Sequence, residues 1–520
     1  MSKSLPRALY RAEQVRELDR RAIEALGIEE FELMRRAGAA AFSRLQERWP
    51  RAGSLLVLAG AGNNGGDGYV IAALAAKIGL RVQIVYLSNP EKLDGAAARA
   101  WRMAAENGAP MCSFQEFRSR QWQDFELVAD ALFGTGLNRA AEGEWLEAIE
   151  WINASGLPVL AVDIPSGLHA DTGTPMGAAV RARLTVTFIG MKRGLLTHRG
   201  PDCTGELIFE NLDAPAKIQG AGASTTAEVK RIDIHSSTGF LPPREPSSHK
   251  GSNGHVLLLG GDHGMGGAII LAAEAALRSG AGLVSVVTRS GHRPALLARR
   301  PEIMVTGTED GRVDLPALFD RASNIVIGPG LGLGEWSRNL LQAALSGHST
   351  RGLPLVTDAD ALRLLAQKAV PEIDFPQEDW ILTPHPGEAA ALLGIDVAEV
   401  QRDRFAAAGE LQRRYGGHCL LKGAGSLICI PGSPPRIKLC SEGNPGMASA
   451  GMGDVLSGII AGLHAQGLSL EDSLCCAACI HGEAADLAAQ EAGQRGLIAT
   501  DLMPFIRRLV NPSRSHPGFH

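Results

Sequence analysis

Residues 443–454 set four glycines, Gly443, Gly446, Gly451 and Gly453, ahead of Asp454, and the apolar stretch that follows reads as a helix. Glycines let a backbone turn its amides toward one point, the helix adds its N-terminal donors and dipole, and the carboxylate stands at the entrance. The result is an anion hole with a base beside it. It suits the transfer of a phosphoryl group onto a hydroxyl, the Asp removing the proton while backbone donors hold the developing charge. A plain Gly-rich turn before a buried helix accounts for the glycines but not for the Asp at the helix start.

Other residues of the second half have chemistry to offer. Lys422, Gly423, Ala424, Gly425 and Ser426 combine a lysine with freed amides and can hold a nucleotide phosphate. Glycine loops at 260–268 and 328–332 allow close backbone approach, although tight turns use the same residues. His385, fixed between Pro384 and Pro386, stands at a strand end, where a structural hydrogen bond and a catalytic role are both open.

In the first half, Gly60, Gly62 and Gly65 satisfy a dinucleotide fingerprint between a strand and a helix. The acidic residue that an ordinary NAD-binding unit carries at the end of its second strand is missing, since that region reads Tyr86, Leu87, Ser88, Asn89. The polar cluster Asn63, Asn64, Gly65, Gly66 and Asp67 therefore needs another use. Asp130, Asp163 and Ser166 end or follow further strands, and strand ends of a parallel sheet share one rim. Asn64, Asp130, Asp163 and Ser166 can converge there and suit a hard cation; each Asp alone can equally cap a helix.

These residues need a scaffold that brings strand ends together. Short β-rich runs at 55–59, 82–86, 127–130, 159–163 and 184–188 alternate with helical patterns such as 67–78, which predicts a parallel sheet with helices on both faces. The small-residue patch at 220–224 and the Pro-rich run at 242–248 mark a break. Strand and helix signals then resume at 256–260, 268–278, 283–287, 325–327, 353–357 and 419–422. Two unlike α/β domains are expected, 1–225 and 226–520, with no tandem repeat.

Composition agrees with that size. The 520 residues are 45% hydrophobic and 21% charged, which is globular and too long for one ordinary core. With 51 basic against 56 acidic residues, net charge −5 and 5% aromatics, a nucleic-acid surface is not expected. No stretch reaches a membrane span and the first ten residues lack a signal-peptide core, so a cytoplasmic protein with no membrane partner is expected. The eight cysteines show no disulfide framework. Cys475 and Cys479 share a helix face with Cys476 beside them, but a zinc site needs a second ligand pair at suitable spacing, so the three read as small buried hydrophobes.

The first half, through Asn63 to Gly68, Asp130 with Gly134 to Gly136, Asp163 to Leu168 and Lys192 to Leu195, resembles the epimerase domain of NAD(P)H-hydrate repair enzymes. The second half, through Lys422 to Ser426 and the loop ending in Asp454, resembles the ribokinase-like superfamily and more closely its NAD(P)H-hydrate dehydratase branch. The resemblance implies an α/β chain with a Rossmann-like three-layer domain followed by a ribokinase-like domain. It implies that Asn63, Asn64, Gly65, Gly66 and Asp67, with Gly134, Thr135, Gly136, Leu137, Asn138, Arg139 and Ala140, contact the hydrated dinucleotide, and that Asp163 is catalytic. Asn64, Asp130 and Ser166 would bind potassium. In the second domain Lys422 to Ser426 and Gly453 would bind the nucleotide, Ala268, Gly330 and His385 the substrate, and Asp454 would be catalytic. The implied substrates are the hydrates NADHX and NADPHX, with magnesium and ADP, or ATP, as phosphoryl donor, and a homo-oligomer is expected. The rival reading is a small-molecule kinase of the same fold with an accessory dinucleotide-binding domain, which would release a stable phosphorylated product.

Overall fold

The computed structural model describes residues 5–119, 125–218, 226–237, 239, 241–311, 315–370 and 377–511. The small-residue patch at 220–224 lies outside the described residues. The chain divides into two compact units, Met1–Lys230 and Arg231–His520.

The strands are β1 (Ala8–Tyr10), β2 (Ser54–Ala59), β3 (Arg81–Tyr86), β4 (Met111–Ser113), β5 (Leu127–Ala131), β6 (Val159–Val162), β7 (Leu184–Phe188), β8 (Met191–Lys192), β9 (Glu206–Glu210) and β10 (Val229–Ile232). In the first unit seven of them form a parallel sheet in the order β4-β3-β2-β5-β6-β7-β9. Its strand order reverses between β2 and β5, so their carboxyl ends open the crevice where ligands of doubly wound sheets bind. Strand β2 explains the layering. Leu55, Val57 and Ala59 pack with the helices Ala12–Leu26, Glu30–Arg48, Asn63–Lys77 and Gly95–Glu106, whereas Leu56 and Leu58 pack with Glu144–Ala154 on the opposite face. Alternate residues of a strand point to opposite faces, and a strand covered on both reads as an uninterrupted apolar run. Beside this sheet β1 pairs with β8 and with Val229 and Lys230 of β10.

The second unit continues with β11 (His255–Leu259), β12 (Leu283–Thr288), β13 (Met304–Gly307), β14 (Asn324–Ile327), β15 (Leu355–Thr357), β16 (Gln377–Leu382), β17 (Gly416–Leu421), β18 (Ser426–Ile430) and β19 (Arg436–Cys440). They run in the order β13-β12-β11-β14-β15-β16-β17-β18-β19, parallel as far as β17 and antiparallel over the last two pairings. On one face the helices Gly266–Ser279, Met452–Ala465 and Leu470–Ala492 share a core with Val256, Leu258 and Val326. Two of these helices touch backbone to backbone: a Cβ on Gly458 would stand 2.1 Å from the Ala272 carbonyl oxygen, and one on Gly462 2.7 Å from the Ala276 carbonyl oxygen. The glycines cost helix propensity and return close packing that holds the start of the Met452–Ala465 helix in place.

One helix begins earlier than its sequence pattern predicts. The pattern starts at Asp67, but the helix runs from Asn63, with Gly62 as its cap and the Gly66 amide on the Gly62 carbonyl at 3.1 Å. Two adjacent glycines look like a turn, yet here they mark contact: a Cβ on Gly65 would meet the Gly60 carbonyl oxygen at 2.2 Å, and one on Gly66 the Met34 sulfur at 2.5 Å. Tertiary packing outweighs the propensity of the glycines.

Candidate active sites

In the first unit the rim between β2 and β5 gathers oxygen atoms. Asp130, next to last in β5, is fully buried, its Oδ2 accepting the Ser166 amide at 2.8 Å and its Oδ1 the Leu132 amide at 3.3 Å. Ser166 Oγ accepts the Phe133 amide at 2.8 Å, and Asn64 Nδ2 donates to the Phe133 carbonyl at 2.8 Å. Asn64 Oδ1 is buried without a hydrogen-bond partner. Burial, opposed by the hydrogen bonds from Ser166 and Leu132, raises the Asp130 carboxyl to about 6. The convergence of a carboxylate, an orphaned amide oxygen, a hydroxyl and the Phe133 carbonyl fits the donor chemistry of a hard cation, and potassium is compatible with it. Phe133 has no sequence signal, because it contributes only backbone. The Gly134 loop lies against this cluster, since a Cβ on Gly134 would be 3.2 Å from Asn64 Cβ. Gly136, Asn138, Arg139 and Ala140 are exposed along the same loop, with Thr135 and Leu137 half-buried.

Asp163 follows β6 in a left-handed backbone conformation, φ +67°, which a non-glycine residue holds only where surrounding contacts enforce it. Its Oδ1 accepts Lys192 Nζ and the Phe188 amide, the latter at 3.2 Å. Lys192 is 1% exposed and also donates to Thr187 Oγ1 at 3.0 Å and to the Phe188 carbonyl at 3.2 Å. Two further carboxyls lie within electrostatic reach. Burial, then the Asp163 and Asp19 charges, hold Asp67 well above the usual carboxylate range. Burial, opposed by Lys192 and assisted by Asp163, raises Asp19 to about 7. Sequence reasoning reached Asp67 and Asp163 but not Asp19, which lies mid-helix among ordinary surface charges, and it quoted Lys192 without a role.

The second site lies at the carboxyl rim of the other sheet. Asp358 follows β15, 1% exposed, and accepts Lys422 Nζ on Oδ1 and Ser457 Oγ on Oδ2, each at 2.8 Å. Burial works against its charge, but Lys422, Ser457 and Thr383 outweigh it and keep the carboxyl below its ordinary value. A Cβ on Gly453 would lie 3.4 Å from Lys422 Nζ, so the lysine reaches the first turn of the Met452–Ala465 helix beside Asp454. Burial first, then the Asp358 charge, raises Asp454 to about 6. Gly451 caps this helix in the left-handed region, φ +87°.

The turn from Gly423 to Gly425 joins β17 to β18 and is held from behind by Arg404. This guanidinium is 1% exposed and donates to the carbonyls of Leu421, Lys422 and Gly425 at 3.3 to 3.4 Å, and burial lowers it to about 10. Ser426 Oγ donates to the Gly423 carbonyl at 3.2 Å. Arg404 is a positioning residue that no motif signals, since the carbonyls it holds lie 17 to 21 residues away.

His385 is first of all a cap. Its Nδ1 accepts the Gly387 and Glu388 amides at 2.9 and 3.2 Å at the start of the Pro386–Leu393 helix, and its Nε2 lies 3.3 Å from Glu388 Oε1. Burial, opposed by Lys422 and assisted by Asp358, raises Glu388 to about 7, and Lys422 Nζ stands 3.8 Å from its carboxylate. Gly330 and Ala268 meet each other: a Cβ on Gly330 would be 3.1 Å from Ala268 Cβ. The helix carrying Ala268 also abuts the glycine loop, where a Cβ on Gly451 would stand 2.4 Å from Leu271 Cδ1. Asp358 and Glu388, carboxylates that the sequence sets after strand ends, complete this site together with Ser457, which no motif marks.

Comparison with known proteins matches both units. A family model described as NAD(P)H-hydrate dehydratase matches residues 256–508, and one described as YjeF-related protein N-terminus matches residues 30–194. The bifunctional NAD(P)H-hydrate repair enzyme Nnr of Coxiella burnetii is 47% identical over 97% of this chain and 99% of its own. The enzyme of the same name from Escherichia coli is 42% identical over 98% of this chain and 95% of its own. Among solved structures, a ribokinase-like superfamily protein from Enterococcus faecalis superposes with TM-score 0.50 at 31% identity, covering 55% of this chain and 98% of that one. The fold is α/β, with a parallel Rossmann-like sheet followed by a ribokinase-like unit, and no described helix is long and apolar enough to cross a membrane. The chain belongs to the family of bifunctional NAD(P)H-hydrate repair enzymes.

Proposed function

We propose that this chain restores hydrated NADH and NADPH in two steps, epimerisation in residues 1–225 and nucleotide-dependent dehydration of the S epimer in residues 226–520. The observation that carries the reading is Asp454 in the first turn of a glycine-capped helix, beside a lysine already neutralised by Asp358. A carboxylate held near 6 is ionised at neutral pH and still basic enough to take a hydroxyl proton.

In the dehydratase unit the substrate hydroxyl gives its proton to Asp454 and receives the phosphoryl group, so a poor leaving group becomes phosphate. Elimination of phosphate with a ring proton then regenerates the dihydronicotinamide. Lys422 and the amides of Gly423, Ala424, Gly425 and Ser426 hold the nucleotide phosphates, with the amides at 446–453 around the moving group. Gly453 lies against the lysine, while Ala268, Gly330 and His385 line the substrate side. Magnesium would be held by the carboxylates of Glu388 and of Asp360, which lies in the first turn of the Ala359–Ala366 helix within electrostatic reach of Glu388 and Asp454, and would neutralise phosphate charge. ADP is the proposed donor, with ATP as its alternative.

In the epimerase unit Asp163, bonded to Lys192, takes the hydroxyl proton of the hydrate as the bond from that carbon to the ring nitrogen breaks to give an aldehyde, the proton passing to the nitrogen. The nitrogen then re-adds to the other face of the aldehyde and the proton returns to the oxygen, which inverts the centre with no net change. Residues 63–67 and 134–140 hold the dinucleotide. Potassium would be held by Asn64, Asp130 and Ser166, supplying positive charge to the rim that the substrate meets. The cell compartment belonging to this reading is the cytoplasm, and its assembly a homo-oligomer.

The test is recovery of near-ultraviolet dihydronicotinamide absorbance from a mixture of both NADHX epimers, with magnesium and potassium, comparing ADP with ATP. Complete recovery supports both activities and identifies the donor. Recovery that stops near half removes the epimerase, and a stable phosphorylated product in place of recovery favours the kinase reading.

A further inference from the structure

The cysteines that share one helix have separate fates in the fold. Cys475 Sγ receives Lys438 Nζ at 3.5 Å, and Cys476 Sγ donates to the Ser237 carbonyl at 2.7 Å. Cys479 instead turns to a residue 39 positions away: its sulfur lies 3.9 Å from that of Cys440, the last residue of β19. Two residues further on, Glu442 brings a carboxylate to the same point, and the two sulfurs and a carboxylate oxygen all lie within 4.8 Å of one another. Glu442 Oε1 accepts the Ile234 amide at 2.8 Å, while Oε2 is sealed from water with no hydrogen-bond partner. All eight cysteines are free, so the pair is not a disulfide.

Two thiols packed as small hydrophobes explain the sulfurs. They do not explain why a carboxylate is carried into contact with them, where its outer oxygen has only the weak Cys479 thiol within reach as a donor. A cation explains all three atoms. Two sulfurs bound at about 2.3 Å in tetrahedral geometry stand about 3.8 Å apart, close to the separation found here. We propose that Cys440, Glu442 and Cys479 form a binding site for one thiophilic divalent cation of the zinc class.

The site draws its ligands from a strand end and a distant helix, which is why helix spacing alone could not disclose it. Three protein ligands leave a fourth position open, bordered by Ser237, whose Oγ is 3.4 Å from Cys479 Sγ. Uptake of the divalent ion releases two thiol protons, leaving two thiolates and a carboxylate on the metal. The ion competes with these protons for the same atoms, so binding strengthens as pH rises. Glu442 immediately precedes the loop at 443–454, and the Gly443 amide and Asn444 Nδ2 bond Asp486 of the same helix at 3.0 and 2.9 Å. A bound ion therefore fastens the root of that loop to the Leu470–Ala492 helix. None of this depends on the repair reaction.

The test uses the full chain, stripped with a chelator, fully reduced with a phosphine and titrated with cobalt(II) at pH 8. One equivalent is expected to produce a sulfur-to-cobalt charge-transfer band with tetrahedral visible bands, to release about two protons, and to be displaced by zinc. The double variant Cys440→Ser, Cys479→Ser should lose the band, whereas Cys112→Ser, in the other unit, should keep it. Glu442→Gln leaves both thiols in place and serves if the double variant misfolds; it should keep the band with affinity at least tenfold weaker. Absence of the band from the folded, reduced chain overturns the proposal. So does a band that survives the double substitution, or an affinity unchanged in Glu442→Gln.

Discussion

The two units place a carboxylate and a lysine at the carboxyl rim of a parallel sheet, but they wire the pair differently. In the first, Lys192 is bonded to Asp163 itself. In the second, Lys422 is bonded to Asp358, and Asp454 stands outside that pair with its carboxyl held at about 6. A carboxylate shared with a lysine can pass a proton in either direction with little rearrangement, which suits an epimerisation that must run both ways. A base kept apart from the cation, with the cation reserved for phosphate, suits a step driven one way by phosphoryl transfer.

The largest effects should come from removing each carboxylate in turn. Asp454→Asn is expected to lower nucleotide-dependent recovery of NADH by about 10³-fold while epimers of the hydrate still interconvert, since a positioned general base contributes roughly 10²- to 10⁴-fold. Asp163→Asn should do the converse: the S hydrate is restored at the ordinary rate and recovery stops at its share of the mixture. Chiral chromatography of the residual hydrate beside the absorbance trace separates the two. If either substitution stops both reactions, the division of labour between the units is wrong.

Legibility in the sequence follows from what makes each part. The parallel sheets could be read because strands buried on both faces, such as β2 and β11, are unbroken apolar runs closed by glycine. Glycine loops and the acidic residues at strand ends pointed to the rims for the same reason. The start of the Asn63–Lys77 helix was not legible, because Gly65 and Gly66 serve packing against Gly60 and Met34 rather than a turn. Asp19, Arg404 and Ser457 were missed for a different cause. They act through partners 17 to 173 residues away or through backbone carbonyls, and local spacing carries no trace of either.

The pairs themselves provide the next comparison. Lys192→Met should leave Asp163, only 15% exposed, without its charge partner and destabilise the first unit by about 3–5 kcal/mol, the usual cost of halving a buried ion pair. Lys422→Met should cost less, about 1–3 kcal/mol, because Lys422 is 21% exposed and Ser457 still serves Asp358, but it should weaken nucleotide binding roughly tenfold or more. Denaturant unfolding and nucleotide titration measure both. Equal stability losses would mean that the two lysines are equivalent after all.

A smaller effect separates the two bases by pH. Asp454 must be ionised to act, so the dehydration rate should rise about tenfold per pH unit up to about 6 and level off above it. Single-turnover rates with pure S hydrate isolate this step. A rate that is flat from pH 5 to 8 would take the base role from Asp454.

The least effect, and the one specific to the first unit, is thermal. Asp130 is buried and its carboxyl is raised from 3.8 to about 6 by burial. The fold therefore favours its neutral form: the stability this group contributes is complete below about 4 and is lost as pH rises through about 6. A cation seated between Asn64 Oδ1, Asp130 and Ser166 binds the charged form and offsets that loss. Potassium at about ten times its Kd should raise the Tm of the first unit by about 3–6 °C at pH 8. At pH 5 the proton competes and the gain should be smaller, and in Asp130→Asn it should vanish at both pH values. A potassium effect of equal size at pH 5 and 8, or one that survives in Asp130→Asn, would separate the ion from this cluster and return its oxygens to a purely structural network.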